Sequence, residues 1–186
     1  MQMEYETDRL LLKILTPKDV GAVLDFYRKN DGYLKPFEPE RPENFFTEAY
    51  HEANLLAEYN AFIKFSYLRL WMYEKENPKC PVGTVCYSNF HRGFFQKCSV
   101  GYKTDYEYTC RGYATEVLHY TLQLICEEYG MHRVEALTLP DTDASIHVLE
   151  KLGFQKEGYL HSAVKINGEW RDHKLYALIF ESSHTQ

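Results

Sequence analysis

The sequence holds no apolar run that could cross a bilayer. Its longest unbroken stretches, such as residues 176–180, fall far short of the roughly 20 residues that a spanning helix needs. The opening Met1-Gln-Met-Glu-Tyr-Glu-Thr-Asp is acidic and lacks the basic and apolar regions of a signal peptide, which predicts a cytoplasmic protein with no membrane partner. Positive charge is in deficit. Lys and Arg number 21 against 27 Asp and Glu, a net charge of −6 that gives no footprint for a nucleic-acid backbone and permits a basic partner without requiring one. The five cysteines (Cys80, Cys86, Cys98, Cys110, Cys126) are an odd number with no Cys-x-x-Cys spacing, which argues against a disulfide framework or a zinc knuckle. His51-Glu52 is followed by Leu55 where a metalloprotease helix needs its second His, so no metal site is expected. Also missing are the Gly-x-x-x-x-Gly-Lys-Ser/Thr phosphate loop, the dinucleotide glycine triplet and the Gly-x-Ser-x-Gly elbow of hydrolases.

What is present is a globular balance. With 45 % hydrophobic residues over 186 positions, the chain matches a single domain, residues 1–186, on a prior of about 150 residues per domain. A globule of this size buries about 70 % of the surface its unfolded chain exposes, enough for a core without staples.

Residues 9–15 read as a strand, and Thr16-Pro17 as a helix start, with Thr16 capping and Pro17 at the first helical position. Val20, Val23, Leu24 and Tyr27 then recur at helical spacing. Residues 35–44 carry three prolines and read as a loop. A second helix is expected over 45–62, with Phe46, Tyr50, Ala53, Ala57 and Asn60 on its inner face. From Ser66 the period becomes two, and 67–73, 82–90 and 98–103 read as successive antiparallel strands. Residues 112–129 form an amphipathic helix, 133–139 a strand and 143–152 a short helix stopped by Gly153-Phe154. Strands 155–166 and 169–180 are joined by Asn167-Gly168, a strong hairpin signal. The expected fold is α/β: a mixed sheet with helices on its faces.

The most informative segment is Gly101-Tyr-Lys-Thr-Asp-Tyr-Glu-Tyr-Thr-Cys-Arg-Gly-Tyr-Ala-Thr-Glu116. A strand runs through a turn into a long helix, whose first amides lack intrahelical partners and carry about half a positive charge. Arg111 beside that end is electrostatically unfavourable unless an anion such as a phosphate joins it, or unless Arg111 pairs on the surface with Glu107 or Glu116. Gly112 is either part of that anion cradle or a turn glycine.

Three segments in order, residues 98–116, 133–158 and 166–178, together with Thr7-Asp-Arg-Leu-Leu-Leu, resemble the GNAT superfamily of acetyl-CoA-dependent N-acetyltransferases. They are most similar to its ribosomal-protein (RimJ/RimL-like) branch. The resemblance implies the GNAT fold, about seven mostly antiparallel strands with about four helices, and acetyl-CoA as cosubstrate. Members of that branch are often monomers or dimers, so the resemblance implies a monomer or homodimer here. The family's Gln/Arg-x-x-Gly-x-Gly/Ala loop falls on Thr109, Cys110, Arg111, Gly112, Tyr113 and Ala114, continuing into Thr115. The glycine and alanine match; Thr109 departs, which costs a side-chain contact more than the backbone cradle. Tyr102, Lys103 and Thr104 match the strand whose backbone pairs with the pantetheine arm and offers a donor to the thioester oxygen.

The family's Asn-x-x-Ser falls on Thr142 to Ser145, where Ser matches and Asn does not. In the branch that Ser, or a nearby Tyr, protonates the departing thiolate, which makes Ser145 the general-acid candidate; helix capping is its plainer reading. Glu135 is the favoured anchor for a proton relay, with His91 and Asp172 behind it, although Glu135 also has Arg133 and Lys174 as ordinary ion-pair partners. Tyr87, Phe90, Phe94, Phe95, Tyr159 and Trp170 either line an amine groove or fill the core.

The resemblance implies direct acetyl transfer to an amine, first of all the N-terminal amine of a protein such as a ribosomal protein. A small amine (polyamine, aminoglycoside or amino acid) is the alternative acceptor, and an acyl-CoA-binding module without turnover is the alternative class, motivated by Thr109 and Thr142.

Overall fold

The chain was analysed as a computed structural model that describes residues 2–181. Among these described residues eight strands form one sheet: β1 (Glu4–Glu6), β2 (Leu10–Lys13), β3 (Leu68–Glu74), β4 (Gly83–His91), β5 (Lys97–Thr104), β6 (Arg133–Thr138), β7 (Gln155–Ile166) and β8 (Glu169–Ile179). Their spatial order is β1-β2-β3-β4-β5-β6-β8-β7, antiparallel throughout except for the β5–β6 pair. Five α-helices accompany them: α1 (Val20–Lys29), α2 (Asp31–Leu34), α3 (Glu48–Ile63), α4 (Tyr113–Glu127) and α5 (Asp143–Lys151).

The two faces of the sheet bury separate cores. On one, Val117, Leu118, Leu122 and Ile125 of α4 pack with Val85, Tyr87, Cys98, Val100, Val134 and Ala136. On the other, Val23, Phe26 and Tyr27 of α1 and Leu55 of α3 close over Trp71 and Tyr73. Each such side chain contributes about 1.5–3 kcal/mol by leaving water. Strand alternation follows directly: even-numbered residues of β5 and β6 face α4, and odd-numbered ones face the α1–α3 side.

Local signals place most element ends. Asp19 accepts a hydrogen bond from the Thr16 amide at 2.8 Å, starting the turn that leads into α1. Gly153 takes φ +87° after α5, and Phe154 behind it is buried. Asn167 and Gly168 both have positive φ, as the tight β7–β8 turn requires.

The expectation of about seven strands and four helices is one short on each count. β1 has three residues and α2 four, too few for a period to register. α2 is held from outside: the buried Asn30 donates to Asp105 at 3.1 Å and accepts from the Tyr106 amide at 2.9 Å. The inner face of α3 also differs from its prediction. The helix begins at Glu48 and buries His51, Leu55 and Phe62, whereas Ala53, Ala57 and Asn60 are exposed. Apolar residues lie on both sides of that helix, so its periodicity alone does not choose the buried side.

Candidate active site

β5 and β6 are paired only from Lys97↔Arg133 to Ser99↔Glu135. Beyond that point β5 continues to Thr104 beside β4, and β6 to Thr138 beside β8, but no longer beside each other. Two strand edges therefore diverge and turn unpaired backbone groups into the gap, where a strand-like ligand can complete the ladder. The gap widens into a cleft of about 590 Å³. Its walls are Tyr102–Thr104 from β5, Leu137–Leu139 from β6 and its loop, and Thr142, Ser145 and Val148 around α5. Tyr33, Leu34 and Phe37 cover it from the α2 segment. The β7–β8 turn reaches across to that segment, with Asn167 donating to the Lys35 carbonyl at 2.7 Å.

At the mouth the cleft meets the start of α4. Gly112 is the N-cap in a left-handed conformation, φ +80°, which an L side chain adopts only with strain. Among the described residues no side chain caps this helix, so its first amides remain available to an anion. The end is braced from behind. Glu116 accepts from Arg9 Nε at 2.6 Å, from the Arg9 amide at 2.9 Å and from Thr7 Oγ1 at 2.6 Å, and Arg9 Nη1 donates to the Arg111 carbonyl at 3.0 Å. Burial pushes the Glu116 carboxyl up, and these donors more than offset it, holding it below its ordinary range.

The loop side chains divide. Thr109, Cys110, Gly112, Tyr113, Ala114 and Thr115 line the cleft. The Thr109 hydroxyl is engaged by the Tyr106 carbonyl at 3.0 Å. Cys110 has φ +60°. Arg111 does not line the cleft, and its partner is neither Glu107 nor Glu116: it lies 3.6 Å from Glu74 and stacks over Tyr108, with its guanidinium carbon 4.5 Å from the ring centre. Glu107 is taken by Lys29 and Glu116 by Arg9. The loop thus presents amides, and its arginine is turned away. Lys103 likewise directs its ammonium to Glu38 on the α1–α3 side, leaving its backbone for the cleft.

Ser145, in the first turn of α5, meets Tyr102 across the cleft: their hydroxyl oxygens are 2.9 Å apart, and the Tyr102 hydroxyl also donates to the Ser145 carbonyl at 3.2 Å. Burial pushes the Tyr102 phenol above its usual value, against the lowering effect of the Ser145 contact, so it stays protonated at neutral pH. Tyr102 belongs to the even face of β5, which is why it reaches α5. Thr142, the N-cap residue of α5, makes no side-chain cap and also lines the cleft.

Residues 9–155 match a family model described as an acetyltransferase (GNAT) domain. The chain belongs to the GNAT acetyltransferase family. It is 32 % identical over 177 residues to the [ribosomal protein uS5]-alanine N-acetyltransferase of Escherichia coli strain K12, covering 95 % of this chain and 91 % of that one. The crystal structure of a ribosomal-protein-S5-alanine acetyltransferase from Vibrio fischeri superimposes with a TM-score of 0.90 at 29 % identity, covering 96 % and 97 % of the two chains. The Mycobacterium smegmatis RimJ structure in complex with CoA-disulfide shares the fold with a TM-score of 0.85 at 24 % identity, over 95 % of this chain and 84 % of that one.

Within this GNAT acetyltransferase the candidate bases separate sharply. Glu135 is the last residue of β6 paired with β5, but lies outside the cleft lining, and is held by Lys97 at 3.2 Å and Arg133 at 2.8 Å. Burial alone would raise its pKa; hydrogen bonds from Arg133 and Lys97 outweigh that and lower it, which makes it a poor proton acceptor. Lys174, its other anticipated partner, instead donates to the Pro140 carbonyl at 2.7 Å. His91 lies at the far end of β4, opposite Lys97. Asp172 is on the outer side of the β7–β8 hairpin, bound to the Ser162 amide at 2.7 Å and to His161 at 3.2 Å.

None of the six aromatic residues named for a groove lines the cleft. Tyr87 is core, bonded to Thr121 at 2.9 Å, and Phe90 packs against Tyr129. Phe94 and Phe95 stand exposed on the β4–β5 turn, and Tyr159 and Trp170 are exposed on the last hairpin. The aromatic lining comes instead from Tyr33, Phe37, Tyr102, Tyr108 and Tyr113. Tyr33 and Phe37 went unnoticed because nothing in a proline-punctuated stretch signals that it folds back over β5. His173, also a cleft residue, was missed beside the more visible Asp172.

Proposed function

We propose that this enzyme transfers an acetyl group from acetyl-CoA to the N-terminal α-amine of a protein, of the kind carried by ribosomal proteins. The observation that carries the reading is the open β5–β6 edge leading to a bare helix end at Gly112. An extended amide-containing arm and a diphosphate need that pair of features, the first as a strand to join and the second as a set of amides to rest on. Any L residue at Gly112 would have to take the strained φ of +80°, although a Cβ there would make only ordinary contact with Arg9 Nη2 at 3.5 Å, so it is the backbone that suits this position to a cradle.

When bound there, acetyl-CoA supplies a thioester as the activated acyl group. Residues 101–104 of β5 orient it through their backbone and offer a donor to the carbonyl oxygen. Tyr102, neutral and 2.9 Å from Ser145, is placed to give a proton to the leaving sulfur, with Ser145 as its hydrogen-bond partner or relay.

The choice of acceptor rests on the relatives' acceptors and on protonation arithmetic. An α-amine, with a pKa of about 7.7–8.0, is about one-tenth neutral at pH 7, whereas a lysine amine at about 10.4 is neutral roughly once in 2,500 molecules. A cleft with no Asp or Glu among its described lining residues favours the amine that is already partly deprotonated. The test is acetyl transfer to peptides carrying the first ten or so residues of ribosomal proteins, beside the same peptides with blocked α-amines and a set of small amines. The expected product is acetylated at the free α-amine, located by tandem mass spectrometry. Transfer confined to small amines would overturn the acceptor, and coenzyme binding without turnover on any amine would overturn the enzyme.

A further inference from the structure

We infer that His173 takes the proton from the acceptor amine. This rests on the acetyl-transfer reading above. Among the described residues lining the cleft there is no Asp or Glu, and two carry an imidazole whose ring nitrogen has a lone pair able to accept a proton, His147 and His173. His147 is exposed on α5, on the wall that carries Ser145. His173 is 5 % exposed and comes from β8, the strand beside β6. Tyr176 on the same strand belongs to the α4 core and reaches Glu150 of α5, so alternation turns His173 to the opposite, α1–α3 face. The general acid and His173 therefore enter the cleft from different sides, as attack and departure at one carbonyl carbon require.

The tautomer is fixed by the neighbouring backbone. His173 Nδ1 lies 3.1 Å from the Arg171 carbonyl oxygen. A carbonyl only accepts, so Nδ1 carries the hydrogen and Nε2 keeps its lone pair. The ring is thus oriented by one nitrogen and free to act with the other, the arrangement a general base needs.

The balance is as follows. The acceptor nitrogen's lone pair forms the new C–N bond while the C–S bond breaks and its electron pair leaves with sulfur. Sulfur takes the Tyr102 hydroxyl proton, and the nitrogen's surplus proton passes to His173 Nε2. Exchange with water restores both side chains.

The test uses the full chain with a peptide substrate, and two variants. In His173→Ala, kcat falls by about 100-fold or more while the dissociation constant for CoA, by calorimetry, changes by less than about threefold. Added imidazole restores at least about a tenth of the lost rate by occupying the vacated space. His173→Asn keeps a side-chain N–H for the Arg171 carbonyl but has no basic nitrogen, and it stays as slow as the alanine variant. Near wild-type turnover in His173→Asn would assign the residue to holding the backbone and overturn the proposal, as would a His173→Ala enzyme within about fivefold of wild type. A wild-type protein that binds CoA but acetylates no amine overturns the functional reading, and this assignment with it.

Discussion

The closed and open stretches of the β5–β6 pair differ in every property that matters to the chemistry. From Lys97 to Ser99 the strands share a ladder, and the side chains above it form a chain of charge, Lys97 to Glu135 to Arg133 to Glu157. A few residues farther on the ladder is gone, no carboxylate lines the gap among the described residues, and the polar groups there include backbone amides, two hydroxyls in contact and the His173 imidazole. The paired stretch is saturated and the splayed stretch is not. Binding and proton transfer need unsatisfied groups held in fixed places, so the rigid, self-satisfied apex serves the site by positioning what diverges from it.

The comparison can be broken most severely at the open end. Gly112→Val forces a β-branched residue into φ +80°, at about 1–3 kcal/mol in folding stability. It should weaken CoA binding by well over tenfold in calorimetry; unchanged affinity in a folded variant removes the cradle from the site. Next comes Tyr102→Phe, which deletes the proposed donor to sulfur and should lower kcat by about 100-fold with little change in CoA affinity. Ser145→Ala removes only the partner of that phenol and should cost about tenfold or less, the scale of one neutral hydrogen bond. If the serine variant falls farther than the phenylalanine one, Ser145 itself is the acid.

The smallest effect is expected at the closed apex. Glu135→Gln should leave kcat within about twofold and lower stability by about 1 kcal/mol, as for ion pairs that still reach solvent. The sign with pH is set by the lowered folded-state pKa of Glu135. A carboxylate stabilised in the folded state contributes fully above its unfolded pKa of about 4.3, and that contribution disappears as pH falls through the lower folded value. Urea midpoints of wild type and variant should therefore differ at pH 7 and converge in acid. A large loss of kcat instead would return the relay to Glu135.

Much of this was legible from composition and punctuation. The Gly153-Phe154 stop, the Asn167-Gly168 turn and the strand-loop-helix around Gly112 are local events, decided by residues a few positions apart, and they appear where the sequence puts them. The fate of individual charges was not legible. Arg111 had Glu107 and Glu116 nearby in sequence, yet turned to Glu74, because Lys29 from α1 and Arg9 from the β1–β2 turn had claimed the other two.

By itself, then, the sequence determined the succession of elements and the place of the Gly112 loop, since these follow from backbone preferences and short-range spacing, and its motifs carried the resemblance to the family. Only the tertiary structure decided which side chains face the reaction. Asp172 and His173 are adjacent in the chain and lie on opposite faces of β8; the pairing of Thr138 with Lys174 sets which of those faces meets the cleft. A strand's period of two guarantees that neighbours part company, but which neighbour goes inward depends on strands brought together from far along the chain.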